Sequence, residues 1–209
     1  MMTSAMIERE MARDGRPLGD GVFVAVVGPS GAGKDSLIAY ARGRLSGAGA
    51  IDFVRRVVTR PSDRTTEDHD SLSEEDFAEA EARGAFALSW RAHGLSYGLP
   101  AGVDRNVEAG HVVVANLSRA AIPSLTRRYA DVVVVEVVAA PDILASRIAG
   151  RARESAGDVA ARLTRQAGID AGDATVVTLD NSGALEIAGE RFVDLLRRAL
   201  ARAAIAGAV

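Results

Sequence analysis

The stretch VFVAVVGPSGAGKDSLIAYARGRL, residues 22–45, restricts the fold of this chain more than any other part of it. An unbroken apolar, mostly β-branched run at 22–27 predicts a strand covered on both faces, as in a parallel sheet. A glycine-rich turn follows. Beyond it Leu37, Ile38, Ala41 and Leu45 recur at helical spacing. Strand, glycine turn and helix in that order form the setting of a phosphate-binding loop with the pattern G-x-x-x-x-G-K-[ST]. Gly28, Pro29, Ser30, Gly31, Ala32, Gly33 and Lys34 fit it. Small residues let successive backbone N–H groups turn inward around a phosphate, and the helix aims its positive dipole end at the same anion. Lys34 would neutralise the β- and γ-phosphates of a nucleotide.

The last position of the pattern departs. Where a hydroxyl is wanted for Mg²⁺ the chain has Asp35, with Ser36 one place later. Two accounts stand. A carboxylate near the β-phosphate is repelled without a metal, but with Mg²⁺ it becomes a hard oxygen ligand, suited to a site that takes ATP only as its Mg²⁺ complex. Alternatively, Asp35 is a first-turn residue favoured by the helix dipole, and Ser36 or solvent serves the metal.

Strands alternate with helices along the rest of the chain. Strands are expected at 53–59, on either side of Gly94 within 85–100, at 111–116, at 131–138 and at 174–179. Helices are expected at 73–84, opened by Ser73 and closed by Gly84, then at 103–109, 119–129, from Pro141, at 158–168 and from 184. This predicts an α/β fold with a mainly parallel sheet and helices on both faces. Residues 1–20 read as a flexible arm and 21–209 as a single domain. The arm has no apolar h-region, so a secretory signal is not expected, and no run is long enough to span a membrane.

A net charge of −3 gives no sign of nucleic-acid binding, and the absence of cysteine excludes disulfides and thiolate metal sites. A small-molecule substrate is expected, with no nucleic-acid or membrane partner, a cytoplasmic location, and a chain compatible with a homodimer.

GPSGAGKDSL resembles the loop of the guanylate-kinase-like phosphokinases, and its Asp-Ser ending resembles the ribose 1,5-bisphosphate phosphokinases among them. RVVTRP (56–61), HDSLSEEDF (69–77), GAFALSWRAHGLSYGLP (84–100), GHVVVANLSRAAIP (110–123) and RIAGRARESAGDVAARL (147–163) extend the likeness in order over roughly 22–182. The resemblance implies a P-loop NTPase fold with a small acceptor-binding lobe at about 60–100 and an arginine lid at about 147–163. It implies transfer of the ATP γ-phosphoryl group, with Mg²⁺, to ribose 1,5-bisphosphate in phosphonate catabolism, giving 5-phosphoribosyl 1-diphosphate. Such chemistry relies on positioning and charge neutralisation.

Residue by residue, the resemblance places Arg60, assisted by Arg64, on the acceptor's phosphate. His69, Tyr97 and Asn116 also fall in the acceptor site. Arg147, Arg151 and Arg162 fall on the transition state, with Arg153 in the same basic run, and Asn181 lies where the family approaches adenine. Guanylate kinases read guanine with a glutamate near Leu88 or Ser89, a hydroxyl at Leu99 and an aspartate at Asn116. These departures suit an acceptor that has phosphates and a sugar but no base. Two rivals remain: a nucleoside monophosphate kinase of altered specificity, and a non-catalytic guanylate-kinase-like binding module.

Overall fold

The computed structural model describes residues 17–60, 69–92, 94–149 and 169–207. The arm before residue 17, Arg64, His93 and the basic run containing Arg151, Arg153 and Arg162 lie outside them. So does the helix expected at 158–168.

The strand expected at 22–27 is β1, Val22–Val27, buried along its whole length. It is the middle of a five-stranded parallel sheet. On one side it pairs with β7, Val112–Asn116, and through it with β2, Ile51–Val54. On the other it pairs with β8, Val132–Val138, and then β9, Thr175–Asp180. Residues on both faces of β1 are apolar because both faces are covered. Val24 and Val26 face a cluster that contains Leu37 and Ile38 of α1, Lys34–Arg44, and Phe192, Val193 and Leu196 of α6, Leu185–Ala206. Phe23 and Ala25 face a second cluster with Val103 and Val107 of α3, Gly102–Glu108, and Leu125 of α4, Ile122–Arg128.

One expectation fails. The segment 53–59 is not a single strand. β2 ends at Val54, and β3, Arg56–Val58, belongs to a different sheet. That second sheet has the order β4-β3-β6-β5, with β4 at His69–Ser71, β5 at Phe86–Ala92 and β6 at Leu95–Pro100. Both halves of 53–59 are β-prone, so the sequence pattern has no mark at the break. The break at Arg55 carries the chain from the main sheet into the small lobe. The segment expected as one helix at 119–129 opens with a 3₁₀ turn, Arg119–Ala121, before α4.

Helix α2, Glu74–Ala82, begins at its expected cap: Ser73 Oγ accepts from the Asp76 backbone N–H at 3.0 Å. The remaining helix, α5, Pro141–Ala149, starts at Pro141 as expected. Asp104 of α3 takes hydrogen bonds from Arg128 and, at 2.8 Å, from the Tyr129 hydroxyl. Burial, then the Asp104 charge, push the Tyr129 hydroxyl far above its ordinary pKa, so it stays a donor. Leu18 bonds to Arg128 O and Ala130 N, so the chain is already pinned to the domain before residue 20.

Candidate functional site

The glycine-rich turn leaves β1 at its C-terminal end, next to the C-terminal ends of β7 and β8, where ligands bind in open α/β sheets. Gly33, at φ +87°, closes the loop as the N-cap of α1. A Cβ there would collide with Asn181 Nδ2. At Gly28 a Cβ would collide with the Val137 carbonyl oxygen of the neighbouring strand. The glycines are thus required by close approach as well as by backbone conformation.

Lys34 Nζ donates to the carbonyl oxygens of Gly28 at 2.9 Å and Pro29 at 3.0 Å, which holds the ammonium across the loop. Asn181, expected beside adenine, is 2% exposed and donates Nδ2 to Ala32 O at 2.7 Å. In the structure its amide braces the loop itself. Arg147, at the end of α5, also reaches this point. Its Nη1 is buried without a hydrogen-bond partner among the described residues, 3.7 Å from where a Cβ on Gly33 would stand. A buried cationic donor aimed at a phosphate loop is placed to meet charge on a nucleotide.

Asp35 faces the other way, into a cleft lined also by Ile38, Arg42, Val54, Arg56 and Asn116. Its Oδ1 accepts from Asn116 Nδ2 at 2.7 Å. Ser36 is exposed and does not line this cleft. Asn116 Oδ1 is buried with no partner among the described residues, and the Asp35 carboxylate is a hard oxygen ligand of the kind Mg²⁺ takes. Among the described residues no group of three or more His, Asp or Glu could hold a metal alone. The Asp35 carboxylate suits a cation held by a side chain together with phosphate oxygens, the usual Mg²⁺ arrangement.

The acceptor residues are only partly brought together. Thr59 forms a clasp with β6: its Oγ1 accepts from Ser96 N at 2.9 Å, and its N–H bonds to Ser96 O at 3.1 Å. This fixes where Arg60 leaves β3. Tyr97 stacks on Trp90 with ring centroids 5.3 Å apart. His69 is 1% exposed, enclosed opposite Arg56 in the β3–β4 pairing and absent from the cleft wall. Leu88 and Leu99 pair across β5 and β6 and are buried in the second apolar cluster. Ser89, the other position matched to the guanine-reading glutamate, bonds to Glu81.

The sequence reading misses Arg56. It is 9% exposed, lines the cleft, and sits over the Tyr97 ring at 5.6 Å from its centroid. A signal exists: in the consecutive arginines of FVRRVVT, strand alternation turns one of the pair inward. Glu136 on β8, a charge inside a strand, accepts from Arg119 at 2.8 Å near the same end of the sheet.

A phosphate loop at the end of a central parallel strand, a lysine across it and a small mixed sheet beside it define a phosphotransferase of the guanylate-kinase-like class. A guanylate kinase from Anaplasma phagocytophilum shares the fold at TM-score 0.61 and 18% identity, over 85% of each chain. No protein-family model matches the chain. It is 51% identical over 204 residues to the ribose 1,5-bisphosphate phosphokinase PhnN of Chelativorans sp. strain BNC1, covering 96% of both. It is 49% identical over 176 residues to the enzyme of that name from Agrobacterium fabrum strain C58, covering 84% of this chain and 96% of that one. The chain belongs to the ribose 1,5-bisphosphate phosphokinase family.

Proposed function

We infer that this chain transfers the γ-phosphoryl group of ATP to the 1-phosphate of ribose 1,5-bisphosphate, producing 5-phosphoribosyl 1-diphosphate and ADP in phosphonate breakdown. Family membership supports the reaction. The observation that carries the choice of acceptor is the Leu88–Leu99 pair. Both side chains are sealed in the core, and the resemblance matches Leu99, and Leu88 or its neighbour Ser89, to residues with which guanylate kinases read a base. A base edge laid against them would leave polar atoms unpaired, at about 1–3 kcal/mol each.

The division of labour follows from placement. The loop from Gly28 to Gly33 would cradle the ATP phosphates, with Lys34 leaving its carbonyl contacts to meet them. Asn181 keeps the loop in shape from beneath. Mg²⁺, held by Asp35 and the phosphates, would supply charge neutralisation. Arg147 would face the transferring group, with Arg151 and Arg162 as further lid arginines. Arg60 and Arg56 would hold the acceptor's phosphates. A guanidinium presents a planar fork that matches phosphate oxygens. No protein base is needed, since the nucleophile is already an anionic phosphate oxygen. The reaction belongs in the cytoplasm, where ATP and sugar phosphates are found together. No helix among the described residues is long and apolar enough to cross a membrane.

A phosphorylation screen of ribose 1,5-bisphosphate, GMP and AMP tests this reading. Turnover of the sugar bisphosphate alone is the expected result. Turnover of a nucleotide alone would return the chain to the nucleoside monophosphate kinases, and turnover of none would leave the binding-module reading.

A further inference from the structure

We propose that the chain has exchanged the charged and neutral members of the side-chain pair that joins its phosphate loop to the end of β7, so that Asn116 acts as a positioning residue for Asp35. The proposal rests on the ATP-binding part of the kinase reading and is independent of which acceptor is used.

The phosphate-loop pattern asks for a neutral hydroxyl at position 35, and the chain supplies a carboxylate. Asn116 ends β7, and the parallel ladder that sets Asn116 opposite Val26 fixes its height beside the loop. The two side chains meet at 2.7 Å, although 81 residues separate them. The orientation of the amide is forced. An ionised carboxylate only accepts, so Nδ2 must face Asp35 and Oδ1 must face away from it. That oxygen is buried with no partner among the described residues.

Each residue is intelligible only through the other. A second carboxylate in place of the Asn116 amide would set two anions at hydrogen-bonding distance, which a nearby cation or a shared proton must relieve. A hydroxyl in place of the Asp35 carboxylate would leave this contact with no anion to meet a cation. With Asp35 and Asn116 the pair holds a single negative charge, and the amide fixes one carboxylate oxygen so that the other can turn to a divalent cation. The same single charge would result from the reverse order, a hydroxyl on the loop facing a carboxylate on the strand.

The test uses Asp35→Ser, Asn116→Asp and the double variant, with binding of a non-hydrolysable ATP analogue measured by calorimetry in Mg²⁺ and in chelator, and melting in both. Asp35→Ser should weaken Mg²⁺-dependent binding about tenfold, a loss near 1.4 kcal/mol. Asn116→Asp should melt lower than wild type in chelator and recover when Mg²⁺ is added. The double variant should bind the Mg²⁺ complex within about threefold of wild type, a coupling expected only for residues that act together. Losses that simply add in the double variant would overturn the proposal. Should Asn116→Asp not fold, Asn116→Ala takes its place: it should raise the Mg²⁺ concentration needed for half-maximal analogue binding, and an unchanged value would overturn the proposal equally. No acceptor is present in these measurements, so a wrong acceptor assignment cannot produce either result.

Discussion

The two sides of the site are built differently. On the donor side the loop is braced by contacts from several elements: Lys34 holds its carbonyls, Asn181 holds Ala32, and Val137 and Asn181 leave no room for side chains on Gly28 and Gly33. On the proposed acceptor side Leu88 and Leu99 are packed into an apolar cluster, and Arg56 stands at the cleft wall. The donor side binds a ligand common to a whole class of kinases, so its geometry is braced from several elements and tolerates little change. The acceptor side sets what is phosphorylated, and a few side chains suffice to alter it. The loop should therefore respond to substitution through turnover and ATP binding, and the cleft through binding of the acceptor.

The largest effect is expected at Lys34. Lys34→Met should lower kcat by about 10²- to 10³-fold through lost charge stabilisation, with the fold retained because the side chain lies outside the apolar clusters. Near-normal turnover in stopped-flow or steady-state assays would remove Lys34 from the site. On the acceptor side, Arg60→Lys keeps the charge but loses the fork. Its expected effect is a rise of about tenfold or more in acceptor KM, matching a charged hydrogen bond of about 1.5–3 kcal/mol, with a smaller change in the KM for ATP. Equal changes in both constants would erase the boundary drawn between the two sides.

Gly33→Ala sharpens the donor half of the comparison. An alanine at φ +87°, with its Cβ driven into Asn181 Nδ2, must move the amide or the loop. The left-handed conformation alone costs about 1–2 kcal/mol, so the KM for ATP should rise by up to about tenfold while the KM for the acceptor stays close to wild type. The smallest effect lies outside both halves. Tyr129→Phe removes the hydrogen bond to Asp104 and should cost about 1 kcal/mol of stability, lowering the melting temperature by about 2–4 °C with both KM values unchanged.

The same contrast explains what can be read in the sequence. The loop is legible because its signal is local: strand, glycines, lysine and helix are contiguous, and each constrains the next. The alternation of the remaining elements follows from apolar runs and caps, as at Ser73. The division of 53–59 between two sheets is not legible, because Phe53, Val54, Val57 and Val58 suit either sheet and partner choice is a tertiary matter. The inward turn of Arg56 is half legible: alternation turns one of two consecutive arginines inward, but which one depends on the sheet the segment joins. The contact between Asp35 and Asn116, and the one between Asn181 and Ala32, join residues far apart in the chain. A single sequence shows the residue types but not that they touch. The resemblance puts Asn116 with the acceptor and Asn181 beside adenine, and the structure adds a contact of each with the phosphate loop.

The most direct test of the central claim, a retained donor side facing an acceptor side that no longer reads a base, is the ratio of kcat/KM for ribose 1,5-bisphosphate to that for GMP on the wild-type protein. Two unpaired base groups at about 1.5–2 kcal/mol each amount to about 3–4 kcal/mol, so the ratio should reach several hundred or more. A ratio near one, or in favour of GMP, would contradict it.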